Sequence, residues 1–276
     1  MIGGELRAIF ETTAPQKGEL LSVVRQNRSN NLIVYFNSYG AENRPRKQPG
    51  RPFGTKFQNY RKIIRYDAHA IWFVEEKGSW YLEHQDRILG ILMRYIVEHD
   101  IAAIKMIGSS AGGYAAIRMG LLLDQRLKHS GSDATILSFA INPQTGFRPE
   151  LFARIERTTL ESRWQGARLG QDPIVLAKDY IDAYAPMQID LVELARNYQP
   201  RNVGIVLMYD NLNPIETTFC GDLAGIDFIL HFPVPLGLNH FDGATKILLN
   251  ELWPVFDQAL PFPKLDNADG ELRALA

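Results

Sequence analysis

Ser110 sits at the centre of Gly108-Ser109-Ser110-Ala111-Gly112, between an apolar run at 101–107 and a helix-like run at 114–123. A serine in G-x-S-x-G, on a tight turn between strand and helix, has the setting of a nucleophile elbow. Such a turn strains the serine backbone, so its neighbours must be small. Gly108 and Gly112 supply that room, and Ala111 and Gly113 add to it. A helix that begins directly behind the serine points its unbonded amides, that of Ala111 first, at the place where an oxyanion forms. Five residues recur by chance, so the chemistry needs partners elsewhere in the chain.

A serine hydroxyl is a poor nucleophile at neutral pH. An imidazole must take its proton, and a carboxylate must hold the imidazole tautomer. His240, among Gly237, Asn239 and Gly243, is the expected base. Asp210, directly after the apolar run 203–209, is the expected orienting acid, with Glu216 next in line if the following loop is longer. Asp222 and Asp227 are further alternatives, and His231 is the rival histidine, although its place within a strand suits a structural role. Histidines 69, 84, 99 and 129 receive no role, and no pair of them has the setting of a metal site.

A second oxyanion donor is expected in the loop after an earlier strand. Asn37-Ser38-Tyr39-Gly40 stands there, which makes the backbone amides of Ser38 and Tyr39 the candidates. Trp80 and Tyr81 also follow a strand end and are candidate pocket walls. A dinucleotide fingerprint is the competing reading of a glycine-rich strand-to-helix turn. It would need glycine where Ser110 stands, and a place near the first strand.

The elements that must position these residues follow from hydrophobic patterning. Strands are expected at 6–10, 20–24, 31–36, 69–74, 101–107, 134–141, 203–209 and 227–232. The first two suit an antiparallel start. Helices are expected at 82–99, after the elbow, and from about Asp242 to Leu260. Buried strands alternating with helices argue for a mostly parallel sheet covered on both faces, in which function gathers at the carboxyl ends of strands. Residues 147–200 break the alternation with charge, helix-like pieces and Pro149, Pro173, Pro186 and Pro200, as an inserted helical cap would. The expectation is one α/β domain over 1–276 with a cap at 147–200.

Bulk composition narrows the partners. The chain has 276 residues, 46% hydrophobic, with a net charge of −1. That leaves no basic footprint for nucleic acid. The short basic stretch at 44–51 reads as a solvated loop. A lone cysteine, Cys220, permits no internal disulfide and suits a reducing compartment. With no secretion-type leader and no apolar run long enough to span a bilayer, a cytoplasmic, soluble protein is expected.

With Ser110, Asp210 and His240 in that order and 37–40 in the oxyanion-loop place, the sequence resembles the α/β-hydrolase superfamily over roughly 30–260. The resemblance implies an eight-stranded sheet with its second strand antiparallel, and a serine acyl-transfer mechanism that needs no cofactor. Ser109 to Ala116, together with Asn142-Pro143-Gln144-Thr145, looks like bacterial hydrolase-fold proteins tied to surface-glycan biosynthesis, some of them polysaccharide O-acetyltransferases. The His-Gly familiar before the oxyanion residue is absent, and Ser38-Tyr39-Gly40 stands instead. The expected activity is hydrolysis of an ester or related acyl bond, with a small-molecule or glycan acyl substrate. The alternatives are acyl transfer to a glycan, or a non-catalytic binding protein on the same fold.

Overall fold

A computed structural model describes residues 20–38, 59–75, 79–161, 190–264 and 272–274. The strand expected at 6–10, the basic loop at 44–51, Tyr39, and most of the cap lie outside them.

In chain order the strands are β1 (Leu20–Arg25), β2 (Asn31–Phe36), β3 (His69–Glu75), β4 (Ala103–Ser109), β5 (Thr135–Ile141), β6 (Val203–Asp210), β7 (Ile229–Val234) and β8 (Leu272–Ala274). They form one sheet in the order β7-β6-β5-β4-β2-β3-β1-β8. Pairs from β3 through β2, β4, β5 and β6 to β7 are parallel. β1 runs antiparallel to both β3 and β8, so the second strand from that edge is the reversed one.

The helices are α1 (Tyr60–Ile63), α2 (Gln85–Glu98), α3 (Ala111–Ser130), α4 (Pro149–Glu161), α5 (Leu191–Arg196), α6 (Pro214–Gly221), α7 (His240–Lys246) and α8 (Leu252–Gln258). Alternation along the strands divides the core between two faces. Leu32, Val34 and Phe36 of β2 pack with Ile88 and Leu92 of α2, with Tyr114 and Ile117 of α3, and with Leu191 of α5. Ile33 and Tyr35 point the other way, toward Ile63 of α1, Ala244 of α7, and Leu252 and Phe256 of α8. The expected helical spacing is realised in α2, whose buried face is Ile88, Leu89, Ile91, Leu92, Tyr95 and Ile96. Among the described residues no helix is long and apolar enough to cross a membrane.

Two boundaries differ from expectation for a physical reason. Pro233 lies inside β7, paired with Tyr209, where the prolines were expected to end the strand at 232. β7 is an edge strand, so its proline needs no amide for an outer neighbour. The last helix starts at His240 and passes through a π-helical turn, Ile247–Glu251, before α8. Pro254 lacks the amide that would continue regular i to i−4 bonding there. The described ends of the expected cap are helical: α4 packs Leu151 and Ile155 against Ile215 and Phe219 of α6, while α5 docks on the core beside α3.

Candidate active site

The loops that follow β2, β3, β4, β5 and β6 meet at one end of the sheet. β4 passes directly into α3 through Ser110, which has φ 55° and ψ −123°. That is a costly conformation for a residue with a Cβ, and it persists because the surroundings enforce it. The Ser110 amide donates to Ile141 O at 2.8 Å, and the Ser110 carbonyl accepts from Tyr114 N at 3.0 Å. A Cβ at Gly108 would stand 2.0 Å from Gly112 O, and one at Gly112 would stand 2.3 Å from Phe36 O. The glycines are therefore required by close backbone approach, and the same approach brings the end of β2 against the first turn of α3.

Three side chains line up on this elbow. His240 Nε2 lies 2.8 Å from Ser110 Oγ, and its Nδ1 lies 2.5 Å from Glu216 Oε1. Ser110, His240 and Glu216 are 7%, 3% and 0% exposed. A carboxylate on Nδ1 keeps the proton there and leaves the Nε2 lone pair facing the hydroxyl. Glu216 is held by the start of α6, where Asn213 caps the helix by accepting from Ile215 N at 2.9 Å and Pro214 occupies the first helical position.

Asp210, expected as the orienting acid, is corrected by this geometry. Its carboxylate is fully buried and faces backbone. Oδ1 accepts from Leu212 N at 3.1 Å, Leu236 N at 3.1 Å and Gly237 N at 2.9 Å, and Oδ2 accepts from Leu238 N at 2.8 Å. Four amides occupy it, so it ties the loop that precedes His240 to the end of β6. Asn142, with φ 42°, supports the same strand end by accepting from Asp210 N at 3.1 Å. Asp222 pairs with Arg154 at 2.5 Å, away from the histidine, and His231 sits on β7 beside Tyr209.

The other expected residues divide. Ala111 opens α3 and is 2% exposed, with a first-turn amide that has no intrahelical acceptor. Asn37 N is already bonded to Phe73 O at 3.1 Å, which leaves Ser38 as the described candidate in the expected oxyanion loop. Trp80 reaches the site, and its Nε1 donates to Gln144 Oε1 at 3.0 Å. Tyr81 turns its hydroxyl to backbone at two strand ends. It is 1% exposed, and its hydroxyl lies 2.8 Å from Asn37 O and 3.0 Å from Phe73 O, bracing two strand ends. Both residues have positive φ, 53° and 65°, in a turn held by Glu75, which accepts from Ser79 Oγ and from Tyr81 N. Burial pushes the Glu75 carboxyl up to about 7.

Gln144 carries no expected chemistry, yet it stands on Ser110. Its Nε2 is 3.0 Å from Ser110 Oγ and 3.2 Å from His240 Nε2. Among the described residues no three His, Cys, Asp or Glu side chains converge as metal ligands would.

By sequence, no family model and no curated protein matches the chain. By shape it is similar to an esterase from Pyrococcus furiosus, with TM-score 0.50 at 8% identity, covering 90% of this chain and 89% of that one. It is also similar to a Staphylococcus aureus protein classed as an esterase, with TM-score 0.51 at 14% identity, covering 81% and 77%. The reversed second strand and the elbow after β4 agree with that likeness. The chain has the α/β-hydrolase fold.

Within the α/β-hydrolase fold, strand ends are the places to search for a triad. That rule pointed to Ser110 and His240, whose side chains lie 2.8 Å apart. Glu216 was legible only as second choice, because it stands on a helix six positions beyond the strand end that Asp210 occupies. Its local pattern, Asn213-Pro214-Ile215-Glu216, also reads as an ordinary helix start with an acidic third position.

Proposed function

We propose that this protein is a serine hydrolase of ester or related acyl bonds, working through an acyl-enzyme on Ser110. The observation that carries the reading is the unbroken Ser110–His240–Glu216 hydrogen-bonded chain on a strained elbow. Ser110 Oγ attacks the acyl carbon while His240 Nε2 takes its proton. The imidazolium then gives that proton to the leaving oxygen. Glu216 holds the tautomer and balances the transient positive charge. The Ala111 amide, at the N-terminus of α3, faces the oxyanion, and the second donor comes from the Ser38–Tyr39 stretch. The mechanism requires no cofactor.

A second reading passes the acyl group to a sugar hydroxyl of a bacterial surface glycan. It is favoured by the burial of Ser110 beneath Gln144, since water and sugar compete for one acyl-enzyme. Residues 147–200 would act as a cap that keeps water out; Phe147, at its start, packs on Trp80 and on Tyr114 with ring centres 5.1 and 5.7 Å apart. A non-catalytic binding role is disfavoured by the alignment of all three side chains. The test is labelling with a fluorophosphonate probe: the wild type labels and Ser110→Ala does not. A wild type that fails to label overturns both enzymatic readings and leaves the binding role.

A further inference from the structure

Gln144 Nε2, Ser110 Oγ and His240 Nε2 form a triangle with sides of 3.0, 3.2 and 2.8 Å. In acyl transfer, the oxygen that leaves with the alcohol, or that arrives with it, must bond to the acyl carbon on Oγ and also lie within hydrogen-bond reach of His240 Nε2. The Gln144 amide nitrogen stands at that place. Its orientation is not free. An indole N–H only donates, so Trp80 Nε1 at 3.0 Å fixes Oε1 toward itself and turns the NH₂ toward the serine and the histidine. Gln144 is 2% exposed.

Resting on the acyl-enzyme reading above, we propose that Gln144, latched by Trp80, is a specificity-determining residue that guards the alcohol-oxygen position and favours a carbon-bearing alcohol over water as the acyl acceptor. The carboxamide must leave this position before an acceptor oxygen can enter, and its hydrogen bonds to Trp80 and Ser110 oppose that displacement. A water molecule brings little to offset the loss. An alcohol brings carbon, which gains contact with the aromatic cluster of Trp80, Phe147 and Tyr114. Once displaced, the Gln144 N–H can donate to the acceptor oxygen. The acceptor O–H then gives its proton to His240 Nε2 as its oxygen bonds the acyl carbon. The ester bond to Oγ breaks, and the proton passes from Nε2 to Oγ, which restores Ser110.

The test uses the full chain acylated by p-nitrophenyl acetate in increasing glycerol, measuring acetylglycerol against free acetate. Both products come from one acyl-enzyme, so their ratio is independent of how fast it forms. Gln144→Ala lowers the alcohol-to-water ratio about tenfold, the scale of one buried hydrogen bond. Trp80→Phe, which removes the N–H donor and one ring of the indole but keeps an aromatic ring beside Phe147, moves the ratio in the same direction. The double variant is no worse than Gln144→Ala alone. A ratio unchanged in Gln144→Ala, or in Trp80→Phe should Gln144→Ala fail to fold, overturns the guard while fluorophosphonate labelling leaves the acyl-enzyme intact. A wild type that neither labels nor releases acetate overturns the proposal together with the reading beneath it.

Discussion

Glu216 Oε1 lies 2.5 Å from His240 Nδ1, reaching the imidazole from a helix and not from the strand end that the fold usually employs. Asp210 stands at that strand end and spends its carboxylate on the amides of Leu212, Leu236, Gly237 and Leu238. Two acids thus divide two tasks. One faces the histidine's Nδ1, and the other ties down the loop that precedes the histidine.

The division predicts different losses. Glu216→Gln keeps the shape of the side chain but no longer enforces the tautomer. Its kcat on an activated acetyl ester falls by roughly 10²–10⁴, with KM little changed. Asp210→Ala leaves four partly buried amides without their acceptor and lowers stability by about 2–4 kcal/mol in urea unfolding. An Asp210→Ala protein as stable as the wild type, or a Glu216→Gln protein with full kcat, would refute the division.

Close backbone approach at the elbow makes its glycines irreplaceable. Gly108→Ala and Gly112→Ala would each press a Cβ into backbone, at 2.0 Å from Gly112 O and 2.3 Å from Phe36 O. Each costs roughly 4 kcal/mol or more, or abolishes soluble expression. Gly90, on α2 with nothing within 4 Å of an added Cβ, is the control, and Gly90→Ala gains roughly 0.5–1 kcal/mol. Thermal unfolding of the three variants checks both signs.

Glu75 makes stability depend on pH. Burial lifts its carboxyl from 4.5 to about 7 in the folded protein. Between those values the folded chain holds a proton that the unfolded chain has released, so stability falls as pH rises from about 4.5 to about 7 and is level above that. The loss is roughly 3 kcal/mol. Glu75→Gln removes this component, and urea unfolding at pH 5 and pH 8 should show a smaller difference than in the wild type. An equal difference would mean that Glu75 is ionised at no unusual cost.

The same residue links stability to the site. Glu75 holds the turn that carries Trp80 at φ 53°, and Trp80 holds Gln144. Ionisation of Glu75 is therefore expected to disturb the alcohol-to-water ratio less than Trp80→Phe does, because its bonds to Ser79 and Tyr81 persist or strengthen with charge. Measuring that ratio at pH 6 and pH 8 in the wild type and in Glu75→Gln tests the point.

Sequence alone determined what is local. Steric demand writes Gly108, Ser110 and Gly112 into five consecutive positions, and burial on both faces writes β2 to β6 as continuous apolar runs. Their alternation with helices fixed the parallel sheet, and the strand-end rule then singled out Ser110 and His240, which the fold brings within 2.8 Å of each other. Tertiary structure alone decided which acid meets the histidine. Asp210 and Glu216 are both acids just past β6, and only the fold shows four amides closing around one and an imidazole facing the other. Gln144 and Trp80 lie 64 positions apart and carry no motif that joins them. Pro233 reads as a strand end in sequence, and only its edge position in the sheet allows β7 to continue through it. In each case the deciding contact is between residues distant along the chain, and side-chain type without placement does not specify the partner.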